Sequence, residues 1–284
     1  MIIGVEKGGT TALLRHLAQS PNVRTHQQRE MFYFLSDEEF QKGWTYCLDK
    51  YFPNVTDGVV VAKNVQQVNS NVALQRLKDQ CPNVKCIIML REPAARAFSA
   101  YNYAVLRGAE TSATFEEALA LENKRIETMG TVWSSLFYLR NSTYAKKVKF
   151  AIELYGEKNV LVLYSEEYKS FTDLQLAQVE SFIGKRVFDT RAVDVKVHNR
   201  AAEARSQRIA QLVYRILKSD NPLRRLMRSA IPHSMAAKMR HAILNLNRVE
   251  SQPAPIDVET AKSIRNQLVT DREELVKLVG HCPW

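Results

Sequence analysis

The sequence predicts an α/β fold in which helices flank a central parallel β-sheet, with a mainly helical part toward the C-terminal end. Short runs of β-branched and aliphatic residues recur at 1–5, 59–62, 86–90 and 160–163. Each run has the length and composition of a strand that is buried on both faces. Helical patterns separate these runs, and such alternation is typical of a parallel sheet covered by helices.

The helices are predicted from the spacing of their apolar residues. The apolar positions between the first three runs are Leu13, Leu14 and Leu17, and then Val72, Leu74 and Leu77. From Ser165 onward the pattern is almost wholly helical. One predicted helix face there carries Ile209, Leu212, Val213, Ile216 and Leu217. A loop at 251–255 precedes a closing helix that we expect to begin near Asp257.

Size and composition favour a single domain over residues 1–284. The chain is 45% hydrophobic and 25% charged, so it can bury a full core without disulfides or metals. Within that domain we predict an α/β core over 1–195 and a mainly helical part over 196–284.

The cysteines and the first residues bear on the compartment. The cysteines are Cys47, Cys81, Cys86 and Cys282, and none forms a Cys-x-x-Cys pair. The first residues lack a basic region followed by an apolar stretch, and no apolar run reaches the roughly 18 residues that cross a bilayer. We therefore expect free thiols, a cytoplasmic location and no transmembrane segment.

The formal net charge of +10 is concentrated in one segment. Residues 196–248 hold twelve Lys or Arg against two acidic residues, Glu203 and Asp220, a surplus equal to the whole net charge. Such a segment can bind nucleic acid, an anionic membrane or an acidic acceptor, or it can be the solvated side of helices. We favour solvated helix faces, and no nucleic-acid partner is expected.

A glycine loop at residues 4–11 follows the first predicted strand. Two of its glycines have the separation seen in a Walker A loop, but Thr10 stands where that motif requires lysine, and the lysine is Lys7. Successive N–H groups and a helix N-terminus still predict a phosphate-like ligand, to which Thr10 and Thr11 add hydroxyl donors. Lys7 would lie beside the bridging oxygen of a donor with one phosphate before the leaving bond. The alternative is an ordinary glycine turn with an exposed lysine.

A second anion site is predicted from residues 90–101. Arg91 stands at the end of the third predicted strand, and ligands of open parallel sheets bind beyond the carboxyl ends of strands. Its guanidinium can hold a phosphate with two parallel donors. Ser99 can add a hydroxyl if the following helix turns it back toward that end. For Ser99 alone, an ordinary helix serine is the alternative.

Several segments resemble the sulfotransferase superfamily, most closely its heparan-sulfate-type branch and the bacterial relatives of that branch. The resemblance is carried by the glycine loop and its surroundings at 3–13, the acidic-aromatic stretch 29–34, the residues around Arg91 and the ending 273–284. The resemblance implies the P-loop-like sulfotransferase fold and transfer of a sulfuryl group from 3'-phosphoadenosine 5'-phosphosulfate to a hydroxyl. The product would be adenosine 3',5'-bisphosphate, and no metal would be needed. The predicted core would then bind the donor, and the helical part would shape the acceptor cleft.

The resemblance also implies individual roles. Around the 5'-phosphosulfate it places Lys7, Gly8, Gly9, Thr10 and Thr11; at the 3'-phosphate it places Arg91 and Ser99, with Tyr144 near the nucleotide. The implied catalytic residues are Lys7, which stabilises the leaving group, Glu30, the general base, and Lys63, on the acceptor side. His26 is a rival base, because histidine titrates nearer neutral pH.

The chain departs from the animal enzymes after Val187, where their Cys-bounded loop with a Lys-Gly-Arg phosphate clamp is missing. Asn199, Arg200 and Arg205 are candidate replacements. The acceptor is left open between a small-molecule natural product and a saccharide. Two other functions compete: a small-molecule kinase with a degenerate P-loop, and a non-enzymatic basic module that binds polyanions. The oligomeric state is also open.

Overall fold

The computed structural model describes residues 1–26, 28–130, 133–185, 203–204, 206–217, 242–243, 246–249 and 254–284. The candidate clamp residues Asn199, Arg200 and Arg205 lie outside these ranges, as does most of the basic segment 196–248.

The chain divides into two compact units. The first comprises Met1–Arg96, the described part of Asn141–His198, and Ile264–Trp284; the second comprises Ala97–Arg140 and the described part of Asn199–Ser263. This division does not test the single domain predicted over 1–284 or its boundary at residue 195, and both stay predictions.

Strands and helices alternate along the chain. The strands of the first unit are β1 (Ile2–Gly4), β2 (Val23–Thr25), β3 (Val59–Val61), β4 (Cys86–Leu90) and β5 (Val160–Tyr164). The helices up to β5 are α1 (Thr10–Leu17), α2 (Asp37–Gln41), α3 (Gly43–Tyr51), α4 (Asn71–Gln80), α5 (Pro93–Leu106), α6 (Phe115–Ala120), α7 (Glu122–Met129), α8 (Tyr138–Ser142) and α9 (Ala145–Tyr155). After β5 come α10 (Ser165–Ser170), α11 (Thr172–Ile183), α12 (Gln207–Leu217), α13 (Val258–Gln267) and α14 (Val269–Val279), with a short antiparallel strand pair, β6 (Glu203–Ala204) and β7 (Arg248–Val249).

A three-stranded parallel sheet with the order β1-β4-β5 forms the centre of the first unit. Successive side chains of a strand point to opposite faces, so β4 contributes to two apolar clusters. Cys86, Ile88 and Leu90 pack with α4 and α9, and Ile87 and Met89 pack with α1 and α11. The predicted α/β fold with helices on both faces of a parallel sheet is therefore confirmed.

The expectation that the run at 59–62 is a strand buried on both faces of the central sheet is wrong. β3 pairs in parallel with β2 in a separate two-stranded sheet, and Val60 in its middle is exposed. A bridge between Ile2 and Lys63 joins the residues after β3 to β1. β2 was missing from the prediction because three residues that include an arginine do not stand out as a strand.

The apolar face predicted for α12 is wrong in part. Ile209 and Leu212 are exposed, and the buried positions are Ala210 and Val213. A Cβ at Gly108 would lie 2.0 Å from the carbonyl oxygen of Ala210, so backbone meets backbone here. Such a contact requires small residues, which a search for large apolar residues overlooks.

Two smaller differences concern α4 and the closing helix. Val72 is 61% exposed, and Ala73 takes its place on the buried face of α4. The closing helix begins beside Asp257 as predicted, and the Asp257 carboxylate accepts a hydrogen bond from the N–H of Thr260 (2.8 Å). The chain leaves helical geometry at Leu268, which separates α13 from α14.

A buried carboxylate organises part of the second unit. Glu110 accepts hydrogen bonds from both Nη atoms of Arg125 (2.8 and 2.7 Å), the Tyr138 hydroxyl (2.6 Å), and the backbone N–H groups of Thr111 and Ser112 (2.8 Å each). Burial alone would raise the pKa of Glu110, but these hydrogen bonds lower it to about 2. The carboxylate is therefore ionised and fully engaged at neutral pH.

Within the described ranges, no helix is both long and apolar enough to span a membrane. In the same part of the chain, no group of three or more His, Cys, Asp or Glu residues is arranged to hold a metal ion. The cysteines Cys47, Cys81, Cys86 and Cys282 are free thiols, as predicted. The cytoplasmic location stays a prediction.

Candidate active site

The loop between β1 and α1 lies against the carboxyl end of β4. The N–H of Val5 donates to the carbonyl oxygen of Met89 (3.0 Å), and the N–H of Gly8 donates to that of Val5 (3.0 Å). A Cβ at position 8 would lie 2.2 Å from the Met89 carbonyl oxygen, so only glycine fits. The loop is thus fixed to the sheet by its backbone, at the edge where ligands of parallel sheets bind.

The first turn of α1 offers unused backbone donors to a ligand. The N–H groups of Thr10 and Thr11 have no hydrogen-bond partner in the part of the chain that the structure describes. Gly9, the residue that caps this helix, has no side chain to satisfy them and adopts a φ of 95°. Helix N-termini carry a partial positive charge, and free N–H groups there bind anions. This is the position at which the sequence predicts a phosphate-like group.

Lys7 lies in the same loop, in a left-handed conformation with φ of 68°. Burial lowers the pKa of its ammonium group to about 8, although the Glu6 carboxylate opposes this. Three guanidinium groups act in the same direction as burial, those of Arg91, Arg29 and Arg96. Because positive charge crowds around Lys7, an anion bound there would be strongly favoured.

Arg91 is the first residue after β4 and is half-buried. One guanidinium Nη atom lies 3.5 Å from the carbonyl oxygen of Lys7, so the structure brings these two predicted residues together. The buried Nε atom has no hydrogen-bond partner among the described residues. Burial lowers the pKa of Arg91, and the nearby Glu166 carboxylate raises it in part. A buried donor without a partner is suited to an anionic oxygen.

Two predicted donor-binding residues are placed differently from Arg91. Tyr144 is 1% exposed, and its hydroxyl donates to the backbone carbonyl of Arg91 (2.8 Å). It therefore supports Arg91 from the protein interior. Ser99 lies in the part of α5 that belongs to the second unit. Its contact with the 3'-phosphate stays a prediction.

Glu30 and Lys63 form an ion pair near β1. The Lys63 ammonium donates to Glu30 Oε1, and the backbone N–H of Val65 donates to Glu30 Oε2 (3.1 Å). The N–H of Met31 donates to the Lys63 carbonyl (2.9 Å), which holds the two segments side by side. The Lys63 side chain is 1% exposed and that of Glu30 is 15% exposed. Burial lowers the pKa of Lys63 and Glu30 raises it, while Arg29 lowers it further.

His26 borders this ion pair but already has a structural contact. Its Nε2 atom accepts a hydrogen bond from the backbone N–H of Lys63 (3.0 Å). The ring is buried, with Tyr51 and Phe52 packed edge-on against it. Burial above all lowers the pKa of His26, and the Lys63 charge adds to this. A neutral imidazole with its Nε2 lone pair engaged is a poorer candidate base than the partly exposed Glu30.

Lys7 and Arg91 thus lie together at the carboxyl end of the central sheet, whereas Glu30, Lys63 and His26 form a second group beside β1. Comparison with known proteins gives the family. The protein-family model that describes the sulfotransferase domain matches residues 1–246. The chain belongs to the sulfotransferase domain family. Membership confirms the superfamily, the fold class and the enzyme class predicted from the sequence. The donor predicted from the resemblance, 3'-phosphoadenosine 5'-phosphosulfate, is the donor of this family.

Human proteins are among the relatives of this chain. Heparan sulfate glucosamine 3-O-sulfotransferase 3B1 of Homo sapiens is 29% identical over 189 residues, which are 66% of this chain and 46% of that protein. Heparan sulfate glucosamine 3-O-sulfotransferase 3A1 of Homo sapiens is 29% identical over 189 residues, 66% of this chain and 44% of that protein. The chain thus spans less than half the length of these relatives.

A solved structure supports the fold. The crystal structure of a sulfotransferase from Alicyclobacillus acidocaldarius superposes with a TM-score of 0.60 at 23% identity, covering 86% of this chain and 94% of that one. At this identity the likeness concerns the fold alone.

Sequence reasoning missed two arginines of the candidate site. Arg96 is fully buried in α5, where its Nε donates to the Ser142 hydroxyl (2.6 Å), and Arg29 is exposed. Both lower the pKa of Lys7. Arg29 lies in the segment 29–34 and Arg96 in the segment 90–101, both of which were already of interest. Treating every arginine in these two segments as a candidate anion ligand would have found them.

Proposed function

We propose that this sulfotransferase transfers the sulfuryl group of 3'-phosphoadenosine 5'-phosphosulfate to a hydroxyl of a saccharide or small-molecule acceptor. The observation that carries the proposal is the convergence of Lys7 and Arg91 at one edge of the sheet, where the Arg91 Nη atom is 3.5 Å from the Lys7 carbonyl. A donor with anionic groups at both ends of its ribose needs two adjacent cationic sites. The Lys7 loop and Arg91 would be those two sites.

The Lys7 loop would hold the 5'-phosphosulfate. The free N–H groups of Thr10 and Thr11 and the Lys7 ammonium are donors of the kind that neutralise phosphate and sulfuryl oxygens. When the new S–O bond forms, the bond from sulfur to the bridging oxygen breaks and negative charge collects on that oxygen. Lys7 would stabilise this charge, as positioning and electrostatics dominate transfers of this type.

Glu30 would accept the proton of the acceptor hydroxyl. Its carboxylate is fixed by Lys63 and by the N–H of Val65, and it retains some exposure through which an acceptor can approach. A carboxylate accepts about four hydrogen bonds, so two contacts leave lone pairs for the substrate. Lys63 would anchor Glu30 and contribute positive charge on the acceptor side.

A saccharide is the acceptor class that we propose to test first. The relatives that match this chain are named for heparan sulfate glucosamine, an anionic saccharide. Arg29, an exposed cation whose charge acts on both Lys7 and Lys63, is suited to a negatively charged acceptor. A small-molecule acceptor is the alternative, and a transfer assay with pooled sugars, phenols and alcohols would separate the two.

The decisive experiment compares donor binding and turnover in matched variants. The melting temperature should rise when 3'-phosphoadenosine 5'-phosphosulfate is added and should not rise with ATP and magnesium, since a ligand stabilises the state that binds it. Lys7→Ala should cut turnover by at least about a hundredfold, whereas Lys149→Ala, which removes a lysine 62% exposed on α9, should leave it unchanged. Stabilisation by ATP and magnesium alone would support the kinase alternative and reject the proposal.

A further inference from the structure

A series of hydrogen bonds connects α14 to the backbone of Arg91. In its first link, Asp271 Oδ2 accepts from the backbone N–H of Tyr144 (2.7 Å) and Oδ1 accepts from that of Ala145 (2.9 Å). Tyr144 caps α9 without a side-chain hydrogen bond of its own. The Asp271 carboxylate therefore supplies the cap for α9 from 126 residues farther along the chain.

The second link joins the capped helix to the donor site. The Tyr144 hydroxyl donates to the backbone carbonyl of Arg91 (2.8 Å). The ring of Tyr144 is buried, and the ring of Trp284 lies edge-on to it with centroids 6.4 Å apart. Tyr144 thus has its backbone held by Asp271 and its ring held by packing, so its hydroxyl presents a fixed donor to the residue at the end of β4.

We propose that Asp271 is a positioning residue for the 3'-phosphate of the donor, acting through Tyr144 on Arg91. This inference rests on the proposed function, in which Arg91 binds that phosphate. Two-pronged binding of phosphate by arginine depends on the orientation of the guanidinium plane. Arg91 directly follows a strand, so the position of its backbone carbonyl sets where its side chain starts. Small displacements of such a group weaken the interaction sharply.

The test measures selectivity for the 3'-phosphate. Dissociation constants are determined for adenosine 3',5'-bisphosphate and adenosine 5'-monophosphate, by calorimetry, in the wild type and in Asp271→Ala, Tyr144→Phe and Arg91→Ala. Glu273→Ala, at an exposed position of the same helix, is the control. Asp271→Ala and Tyr144→Phe, which each break a link of this hydrogen-bonded series, should weaken binding of the bisphosphate about tenfold and leave binding of the monophosphate within about twofold. Asp271→Asn keeps one acceptor oxygen, so its affinity for the bisphosphate should lie between those of the wild type and Asp271→Ala.

Coupling separates positioning from a general loss of stability. On the Arg91→Ala background, Asp271→Ala should cause no further loss of bisphosphate affinity, because the group it positions is gone. An equal loss for both nucleotides, or an unchanged preference for the bisphosphate in folded Asp271→Ala, would overturn the proposal. Should Asp271→Ala fail to fold, Tyr144→Phe decides in the same way.

Failure of the proposed function has a different signature. If the wild type binds both nucleotides equally, or if Arg91→Ala keeps the preference, then Arg91 does not bind the 3'-phosphate and the premise itself is wrong. If the wild type and Arg91→Ala behave as expected and only Asp271→Ala and Tyr144→Phe do not, the role of Asp271 is rejected and the donor site stands.

Discussion

Two carboxylates, one in each unit, each form an ion pair with a cation, and they differ in how much of their hydrogen-bonding capacity is used. Glu110 in the second unit has a side chain that is 0% exposed and accepts from Arg125, Tyr138 and two backbone N–H groups. Glu30 in the first unit is 15% exposed and accepts from Lys63 and one backbone N–H.

The difference separates a structural carboxylate from one that can take part in chemistry. Every lone pair of Glu110 is engaged, so it has no capacity for a substrate proton. Glu30 keeps unused capacity and a route to solvent. The cations differ as well: burial lowers the pKa of Lys63, whereas Glu110 raises that of Arg125 against the effect of burial. Four measurements test whether Glu30 and Glu110 differ in this way.

The largest effect is expected for Glu30→Gln. Removing the proposed base should lower kcat by about 10²- to 10⁴-fold, the usual range for general-base catalysis, with the dissociation constant for adenosine 3',5'-bisphosphate unchanged. Steady-state kinetics with saturating donor and calorimetry check the two halves. Full turnover in Glu30→Gln would remove Glu30 from the mechanism.

The matching change in the second unit should affect stability. Glu110→Gln leaves the half-buried Arg125 without the carboxylate that it is paired with, which should lower the free energy of unfolding by about 3 kcal/mol. Urea denaturation at pH 7 measures this. Glu127→Gln, at an exposed position of α7, should stay within about 0.5 kcal/mol of the wild type. A loss as small as that of the control would show that the Glu110 network contributes no net stability.

The same network predicts an acid-dependent loss of stability. The pKa of Glu110 is about 2 in the folded protein and lies near 4.5 when unperturbed, so the unfolded state binds the proton first as pH falls. Its stabilisation is complete above pH 4.5 and is lost toward pH 2, with about 2 kcal/mol gone by pH 3. The difference in unfolding free energy between the wild type and Glu110→Gln should shrink over this range. A constant difference would contradict the assignment.

The smallest effect is expected for the pH dependence of nucleotide binding by Lys7. With a pKa of about 8, Lys7 loses its charge as pH rises from 7 to 9. Affinity for adenosine 3',5'-bisphosphate should therefore fall by up to about tenfold over that range. Lys7→Arg, which stays protonated, should bind with no such dependence. Identical pH profiles for the two proteins would assign the titration to another group.

Local patterns predicted the centre of the fold and the proximity of two residues of the candidate site. The apolar run at 86–90 is β4 with the same bounds, and Lys7 and Arg91 lie together because both follow strands of one parallel sheet. Features that depend on distant residues were not predictable. The pairing of β3 with β2 is not encoded in a run of valines. The link from Asp271 to Tyr144 leaves no periodic signal.

His26 shows the same limit at the level of one side chain. Its residue type suggested a base that titrates near neutral pH. Its role is decided by the backbone N–H of Lys63, which donates to Nε2, and by the surrounding rings. Sequence supplies the chemical identity of such a group, whereas only the packed structure shows whether a lone pair is available.

The contact between Gly8 and the Met89 carbonyl limits how this loop can be re-engineered. A methyl group at position 8 would need to occupy space already taken by the main chain of β4, which cannot move without disturbing the whole sheet. Libraries aimed at new donors would therefore sample position 8 unproductively. Diversity is better placed at Thr11, which is only half-buried, because its side chain can change while the supporting backbone stays intact.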